Sequence, residues 1–534
     1  MNGKLLLWAI STALAGLLFG FDTVVISGAE ATIQHLWNLS GSMHGLAISS
    51  ALWGTVLGAV LGSIPTERLG RKKTLIIVGF LYFISAIGSA IAFNVGIFIF
   101  FRFIGGVGIG FATIASPLFI AEISPAKDRG KLTALFQFNI VFGILLAFLS
   151  NFIISHIFPP ATSWRWMLGA EGLPAFIYLL MCFSLPESPR YLIVNRGDEV
   201  RAKAILSQIN PELSDAELDH IIAEVRASAD DSGSSSKEHL PFFTRRLRYP
   251  ILYAFLIAAF NQLSGINIIL YFAPRLLDLA GISDPLFAAI SLGITNLIFT
   301  LMGVRFIDKL GRKTLLLIGC VGYIVSLAIC TLTFMTCSPL KVVSACTDAI
   351  NSATQVKNTQ NNPDVLPADR EIILEKYAQT SLALTQTVTK ENYAGPTIVL
   401  SKDFTVDEVL KKATEAKLTA AKEVGGISIV VLGCMVIFIA AHAIGSGSII
   451  WVFISEIFPT EYRARGQSLG SSTHWIFAAG LTLVFPIIMA HFDASVMFGF
   501  FCFMMCVQLV WAKFMMPETK GKTLEALAKM MVRD

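Results

Sequence analysis

The chain has 534 residues, of which 54% are hydrophobic and only 15% charged, with a net charge of +4. A soluble domain carries about 25% charged residues, and a single soluble core stops growing at roughly 250–300 residues. A soluble enzyme, a disordered chain and a secreted disulfide scaffold therefore fit poorly. A transmembrane helix needs about 20 apolar residues, so a polytopic membrane protein is what remains. The small net charge gives no sign of a nucleic-acid partner. The eight cysteines contain no C-x-x-C pair and read as small hydrophobes in helices.

In chain order, apolar stretches fall at about 5–28, 45–65, 74–94, 97–119, 132–157 and 166–185, and then at 250–279, 285–306, 314–336, 424–450, 466–490 and 495–516. This pattern predicts twelve spans in an all-α integral membrane protein. The first stretch lacks a small-residue cleavage site and reads as a span, not a signal peptide. Short loops divide by charge. Arg68, Arg71, Lys72 and Lys73 follow the second span, Lys127, Arg129 and Lys131 the fourth, Lys309, Arg312 and Lys313 the eighth, and Arg463 and Arg465 the tenth. The alternate loops 30–44, 155–164 and 491–494 contain no Lys or Arg. By the positive-inside rule both termini are cytoplasmic.

The sequence repeats itself. Glu67-Arg-Leu-Gly-Arg-Lys-Lys-Thr-Leu returns as Asp308-Lys-Leu-Gly-Arg-Lys-Thr-Leu, Ile120-Ala-Glu-Ile-Ser-Pro as Ile454-Ser-Glu-Ile-Phe-Pro, and Pro186-Glu-Ser as Pro517-Glu-Thr. A parallel six-helix duplication is one plan of secondary transporters, with the substrate site at the midplane between the halves. The expected organisation is a six-helix bundle at 1–189, a cytoplasmic helical linker at 190–249 and a second bundle at 250–534. The linker reads as short amphipathic helices with a flexible stretch from Asp230 to Lys237. The second half carries an extracytoplasmic insertion at 337–423, in which Lys411 to Lys422 is helix-forming, and a short cytoplasmic tail at 517–534. Cys337 and Cys346 at the base of the insertion can either pair or remain free thiols.

Three ionisable residues stand out inside spans. At 1.5 Å per residue, Asp22 lies about 26 Å from its entry at the inner face and Arg102 about 8 Å from its entry at the outer face. Glu171, six residues into the sixth span, falls at the same outer level of a core about 30 Å thick. Charge at that depth is costly and marks a functional site by default. Two carboxylates beside one guanidinium can form a protonation switch; a static buried ion pair is the alternative. Asn261 and Gln262 sit near the midplane of the seventh span, with Asn267 beyond Ser264-Gly265. The eight histidines show no metal-ligand spacing, no cofactor is indicated, and no nucleophile–base set suggests an enzyme.

The ordered motifs resemble the sugar porter branch of the major facilitator superfamily, and most of all its bacterial proton-coupled xylose carriers. They are Gly16-Leu-Leu-Phe-Gly-Phe-Asp-Thr, the two Arg-x-Gly-Arg-Lys-type boxes, Arg102-Phe-Ile-Gly-Gly-Val-Gly-Ile-Gly, Pro117-Leu-Phe-Ile-Ala-Glu, Trp164-Arg-Trp-Met, Pro186-Glu-Ser-Pro-Arg, Asn261-Gln-Leu-Ser-Gly-Ile-Asn and Pro517-Glu-Thr-Lys-Gly. The resemblance implies the major facilitator fold and proton-coupled import of a pentose or hexose such as xylose, glucose or galactose. It implies a multi-pass protein of the inner or plasma membrane that works as a monomer in the bilayer. It places the proton on Asp22, with Arg102 and Glu171 beside it. It places sugar contacts on Gln137, Asn261, Gln262, Asn267, Asn296, Trp451, His474 and Trp475. It makes Glu67, Arg68, Arg71, Glu122, Arg129, Asp308, Arg312, Glu456 and Arg463 a cytoplasmic gate that latches the outward-facing state and parts when the inside opens. Alternatives are a facilitator without proton coupling, a polyol or inositol carrier, and a non-transporting sugar sensor. The chain departs from the pattern at Asn261 (often Gln), His474 (Gln or Asn), Ile144 (Gln in the xylose carrier), Ser63 (Gly) and Gly445-Ser-Gly-Ser448, which replaces an aromatic-Gly-Pro element.

Overall fold

A computed structural model describes residues 3–125, 128–234, 241–360, 367–391, 405–459, 462–522, 527 and 530–531. Among the described residues, twelve helices are long and apolar enough to cross a membrane. They are Gly3–Leu36, Gly41–Leu61, Arg71–Ile91, Val95–Ile123, Arg129–Ile157, Pro160–Ser184, Arg245–Tyr271, Pro285–Leu310, Arg312–Thr336, Gly426–Ile457, Arg463–Met489 and Ala494–Phe514. They are numbered here as the first to the twelfth span. Apolar side chains such as Ile91, Phe93, Leu173, Ile429 and Phe514 face outward, as lipid-facing positions must when the solvent is hydrocarbon.

Glycine decides the seventh and tenth spans. The seventh is a helix to Leu263, turns at Gly265 with φ of +88°, and resumes as Ile266–Tyr271 and Ala273–Leu279. A side chain at that φ is strained. The tenth breaks at Gly445, between Gly426–Ile444 and Ser446–Ile457. Small residues also let helices touch: at Gly45, Gly54 and Gly106 a Cβ would collide with a neighbouring backbone carbonyl, the close approach typical of membrane packing.

The apolar core has an uneven shape. At the end bearing the basic loops, each half has its own cluster, one running from Leu5 to Ile209 and the other from Ala254 to Met531. At the opposite end one cluster joins both halves and the insertion, bringing Val25 and Ile48 together with Leu276, Phe485, Cys346 and Ala416. The halves are therefore closed at the insertion end and parted at the basic end.

The insertion is more helical than its composition suggests. Ser338–Gln360, Pro367–Lys390 and Val406–Val424 are all helices, the last including the anticipated 411–422 segment. Thr405 and Glu408 cap it reciprocally, a pattern that satisfies two free backbone donors. Cys337 and Cys346 are free thiols. Nine positions of helical rise separate them by about 13 Å at 1.5 Å per residue, well beyond disulfide reach. The linker forms helices Glu199–Ile209 and Asp215–Ser234, closed over a small core of Leu192, Ile193, Leu206, Leu218 and Ile222. Helix thus replaces the first part of the stretch expected to be flexible, and residues 235–240 lie outside those described.

Candidate functional site

A cavity of about 870 Å³ lies between the halves. Its lining runs from Leu52, Ile266 and Leu270 in mid-membrane to Ser63, Ala464 and Arg465 at the basic end. All eight expected sugar-contact residues line it: Gln137, Asn261, Gln262, Asn267, Asn296, Trp451, His474 and Trp475. The turn at Gly265 lets one helix present three amides. Asn267 Nδ2 donates to Gln262 Oε1 at 2.9 Å, and Gln262 Nε2 donates to Asn261 Oδ1 at 3.1 Å and contacts His474 Nε2 at 3.0 Å. The amide group of Gln262 is thereby held in one orientation. His474 packs between the rings of Trp451 and Trp475, at 5.2 and 4.8 Å. Thr300 Oγ1 reaches Asn296 Oδ1 at 3.4 Å, and Gln467 holds the backbone carbonyl of Trp451 at 2.9 Å. The result is one cavity lined by both aromatic rings and amide groups, which suits a polyol with C–H and O–H faces.

His442 was not singled out in the sequence. It lines the same cavity, and its Nδ1 lies 2.6 Å from the hydroxyl of buried Tyr323. The other ring nitrogen is left to the cavity side, where a Cβ on Gly447 would meet it. A lone histidine in an otherwise apolar span was the available signal. Phe19, which packs against Trp475 at 5.7 Å, gave no comparable signal.

Asp22, Arg102 and Glu171 do meet. Arg102 pairs with Asp22 through Nη1 and donates from Nη2 to the Asp22 carbonyl at 3.2 Å. All three side chains are buried. Glu171 lies beside Asp22, near enough for the two carboxyl groups to share a hydrogen bond. Asp22 Oδ2 and Glu171 Oε1 otherwise have no partner among the described residues. None of the three lines the cavity; Phe19 and Thr23, on either side of Asp22 in the first span, do.

The basic end shows the same construction twice. Arg71 makes a two-pronged pair with Glu122, from Nε and Nη2, both at 2.8 Å. Arg312 pairs with Glu456 at 2.7 Å, and Thr519 donates to the other Glu456 oxygen at 2.7 Å. Asp308 lies 3.4 Å from Arg312 and is largely exposed. Two further carboxylates, unremarked in the sequence beyond their motif, cap the third and ninth spans. Glu187 accepts from the backbone N–H of Arg71, Lys72 and Ser188. Glu518 accepts from those of Arg312, Lys313, Thr519 and Lys520. Burial pushes the Glu518 carboxyl up, but these N–H groups outweigh it and hold the group below its ordinary value. Glu67, Arg68 and Arg129 are exposed and form no ion pair among the described residues. Arg463 is half-buried, with Nε and Nη2 unpartnered there; its neighbour Glu461, like Lys127 beside Arg129, lies outside the described residues. Arg71–Glu122 and Arg312–Glu456 each lie within one half, and both pairs are formed in this structure.

Fold and site together define a two-half membrane carrier of the major facilitator type, with a ligand cavity on the axis between its halves. The chain belongs to the sugar (and other) transporter family, whose model matches residues 8–349 and 411–531. It is 30% identical to a glucose transport protein of Synechocystis, over 96% of this chain and 95% of that one. It is 28% identical to the D-xylose-proton symporter of Escherichia coli, over 96% and 93%. It is 29% identical to a probable inositol transporter of Arabidopsis thaliana, over 100% and 92%. Among solved structures, the inward open conformation of the xylose transporter from E. coli matches with a TM-score of 0.71 at 26% identity, covering 98% of each chain. These relatives are transporters, not enzymes.

Proposed function

We propose that the protein imports a monosaccharide, a pentose or hexose such as xylose, glucose or galactose, together with a proton by alternating access. The basic end is then cytoplasmic, both termini are cytoplasmic, and the protein works as a monomer in the cell membrane. The convergence of Gln137, Asn261, Gln262, Asn267, Asn296 and His474 with two tryptophans on one cavity carries the sugar reading. Buried amides that bond a substrate hydroxyl reject ligands lacking it.

Proton coupling rests on the second buried set. Two carboxylates and one guanidinium carry one net negative charge, which hydrocarbon surroundings penalise. One proton shared by Asp22 and Glu171 neutralises the set and satisfies both unpartnered oxygens. Movement of Arg102 away from Asp22 favours proton uptake, and its return favours release. Because Asp22 sits one residue from cavity-lining Thr23, rearrangement of the first span links the proton to the sugar. Glu67, Arg68, Arg71, Glu122, Arg129, Asp308, Arg312, Glu456 and Arg463 brace the cytoplasmic helix ends, with Arg71–Glu122 and Arg312–Glu456 moving as parts of their own halves.

Uptake of labelled xylose, glucose, arabinose and inositol into proteoliposomes, with and without an inward proton gradient, tests both assignments. Sugar accumulation that requires the gradient is expected. Uptake indifferent to the gradient would leave a facilitator, and uptake of inositol alone would move the substrate class to cyclic polyols.

A further inference from the structure

The arginine–glutamate pairs at the basic end each stay within one half, but at the insertion end an ion pair crosses between the halves. Glu30 lies eight residues beyond Asp22 on the first span and is 1% exposed. Arg275 reaches it from the Ala273–Leu279 helix of the other half. Its Nε donates to Glu30 Oε1 at 2.9 Å, and its Nη2 donates to Gln34 Oε1 at 2.6 Å. His44 of the second span, fully buried, places Nε2 3.1 Å from the second Glu30 oxygen. The His44 ring stands edge-on to Phe272 at 6.1 Å, and Phe272 packs on Phe485 at 4.4 Å. The pair is set into the apolar cluster that closes this end.

The insertion is rooted in the second half and reaches the first. Its helix Ser338–Gln360 follows the ninth span, and its helix Val406–Val424 leads into the tenth. Toward the first half, Asn358 donates to the carbonyl of His35, the neighbour of Gln34, at 3.3 Å. Within the second half, Lys417 Nζ donates to both carboxylate oxygens of Asp278, at 2.8 and 2.7 Å. Asp278 follows Arg275 by about one turn of the same short helix. Apolar side chains complete the cover: Val343 and Ala349 of the first insertion helix and Ala416 and Ala420 of the last join Ile33 and Leu276 in one cluster.

We propose that Glu30, Gln34 and Arg275 form a latch between the halves and that the insertion is a strap over it, holding this end of the unloaded carrier shut. Alternating access requires Glu30 and Arg275 to part in every cycle. Taking two charges out of water costs about as much as their attraction returns, and an opened mouth rehydrates both. The pair by itself is therefore close to balanced, which lets it come apart. The strap tilts the balance toward closure. Lys417 fixes the helix that aims Arg275, Asn358 ties down the end of the first span, and the apolar cover keeps water from the charges. Lys417 acts on the latch through Asp278 and is a positioning residue.

The strap rests on the carrier reading but not on which solute or ion is carried. Hydrogen–deuterium exchange of the purified full-length protein, read by mass spectrometry without substrate, reports both ends at once. Glu30→Gln leaves Arg275 without its carboxylate, so exchange is expected to rise several-fold in 26–45 and 266–280 and to fall in 129–140 and 463–470. Gln34→Leu should follow it at smaller size and stands in for it if Glu30→Gln does not fold. Lys417→Gln touches neither Glu30 nor Arg275, yet should shift both ends in the same directions. Reversing the brace, with Asp278→Lys and Lys417→Asp together, should return the wild-type pattern. Exchange that rises near the insertion without falling at the basic end would mark Lys417 as a local structural contact and overturn the strap. No shift in folded Glu30→Gln would overturn the latch. Uptake into proteoliposomes separates the two levels: transport that persists without these exchange shifts refutes the strap alone, whereas absence of uptake of any solute refutes the carrier reading.

Discussion

At the basic end the two halves repeat one construction. Arg71 and Arg312 each follow a glycine with φ above +90° or at it, Gly70 at +95° and Gly311 at +90°. Each arginine pairs with the glutamate that ends a helix across from it, and each adjacent lysine, Lys72 or Lys313, caps a carbonyl at 2.9 Å. Glu187 and Glu518 complete the two copies. Deeper in the membrane the copies diverge. The first half buries the ionisable set Asp22, Arg102 and Glu171, whereas the second offers neutral amides, histidines and tryptophans to the cavity. The two halves thus share one frame at this end, while their interiors differ in chemistry: a buried charged set in one, hydrogen-bonding and aromatic groups lining the cavity in the other.

The comparison can be broken in several places. Removing the charge of Glu122 by Glu122→Gln strands a largely buried arginine and is expected to cost about 3 kcal/mol. The matching Glu456→Gln should cost less, because Glu456 is more exposed and leaves Thr519 hydroxyl contact intact. Thermal unfolding of the two variants would show equal losses if the copies were energetically alike. Asp22→Asn addresses the first-half interior. At a driving force of 100 mV a single coupled proton supports about fiftyfold accumulation; the variant should reduce this to equilibration while leaving exchange between sugar pools intact. Retained accumulation would remove the proton from this half.

Gln262→Ala addresses the second-half interior. It removes contacts to Asn261, Asn267 and His474 and is expected to weaken sugar binding about tenfold or more, as measured by calorimetry, with the pH dependence of transport unchanged. The smallest effect expected is that of Glu518→Gln, about 1 kcal/mol. Because the folded Glu518 carboxyl titrates below its ordinary value, its contribution is present above about pH 4.3. It is lost as pH falls through the lowered folded value. Melting curves of wild type and variant should therefore converge once the pH falls below that lowered folded value.

Much of this was legible residue by residue. The twelve spans followed from the length of apolar runs, and the repeat from three motifs in register. Asp22, Arg102 and Glu171 were conspicuous because charge in an apolar helix is costly, and counting rise per residue placed them at one depth. The first span was underestimated, expected to end near 28 but running to Leu36, because its polar end, Glu30, Gln34 and His35, is covered by Arg275 and the insertion and not by lipid. His442 passed as a scattered histidine, since its role depends on Tyr323, more than a hundred residues away.

What the sequence by itself determined was membrane residence, span count and the depth of its buried charges, all properties of hydropathy and helical rise along one segment. Only the tertiary structure decided which partner each charge meets. Glu30 and Arg275 are separated by 245 positions, and the insertion that covers them read only as a polar loop. Pairing across two halves depends on how separate helices pack, and that information lies in no single stretch of the chain.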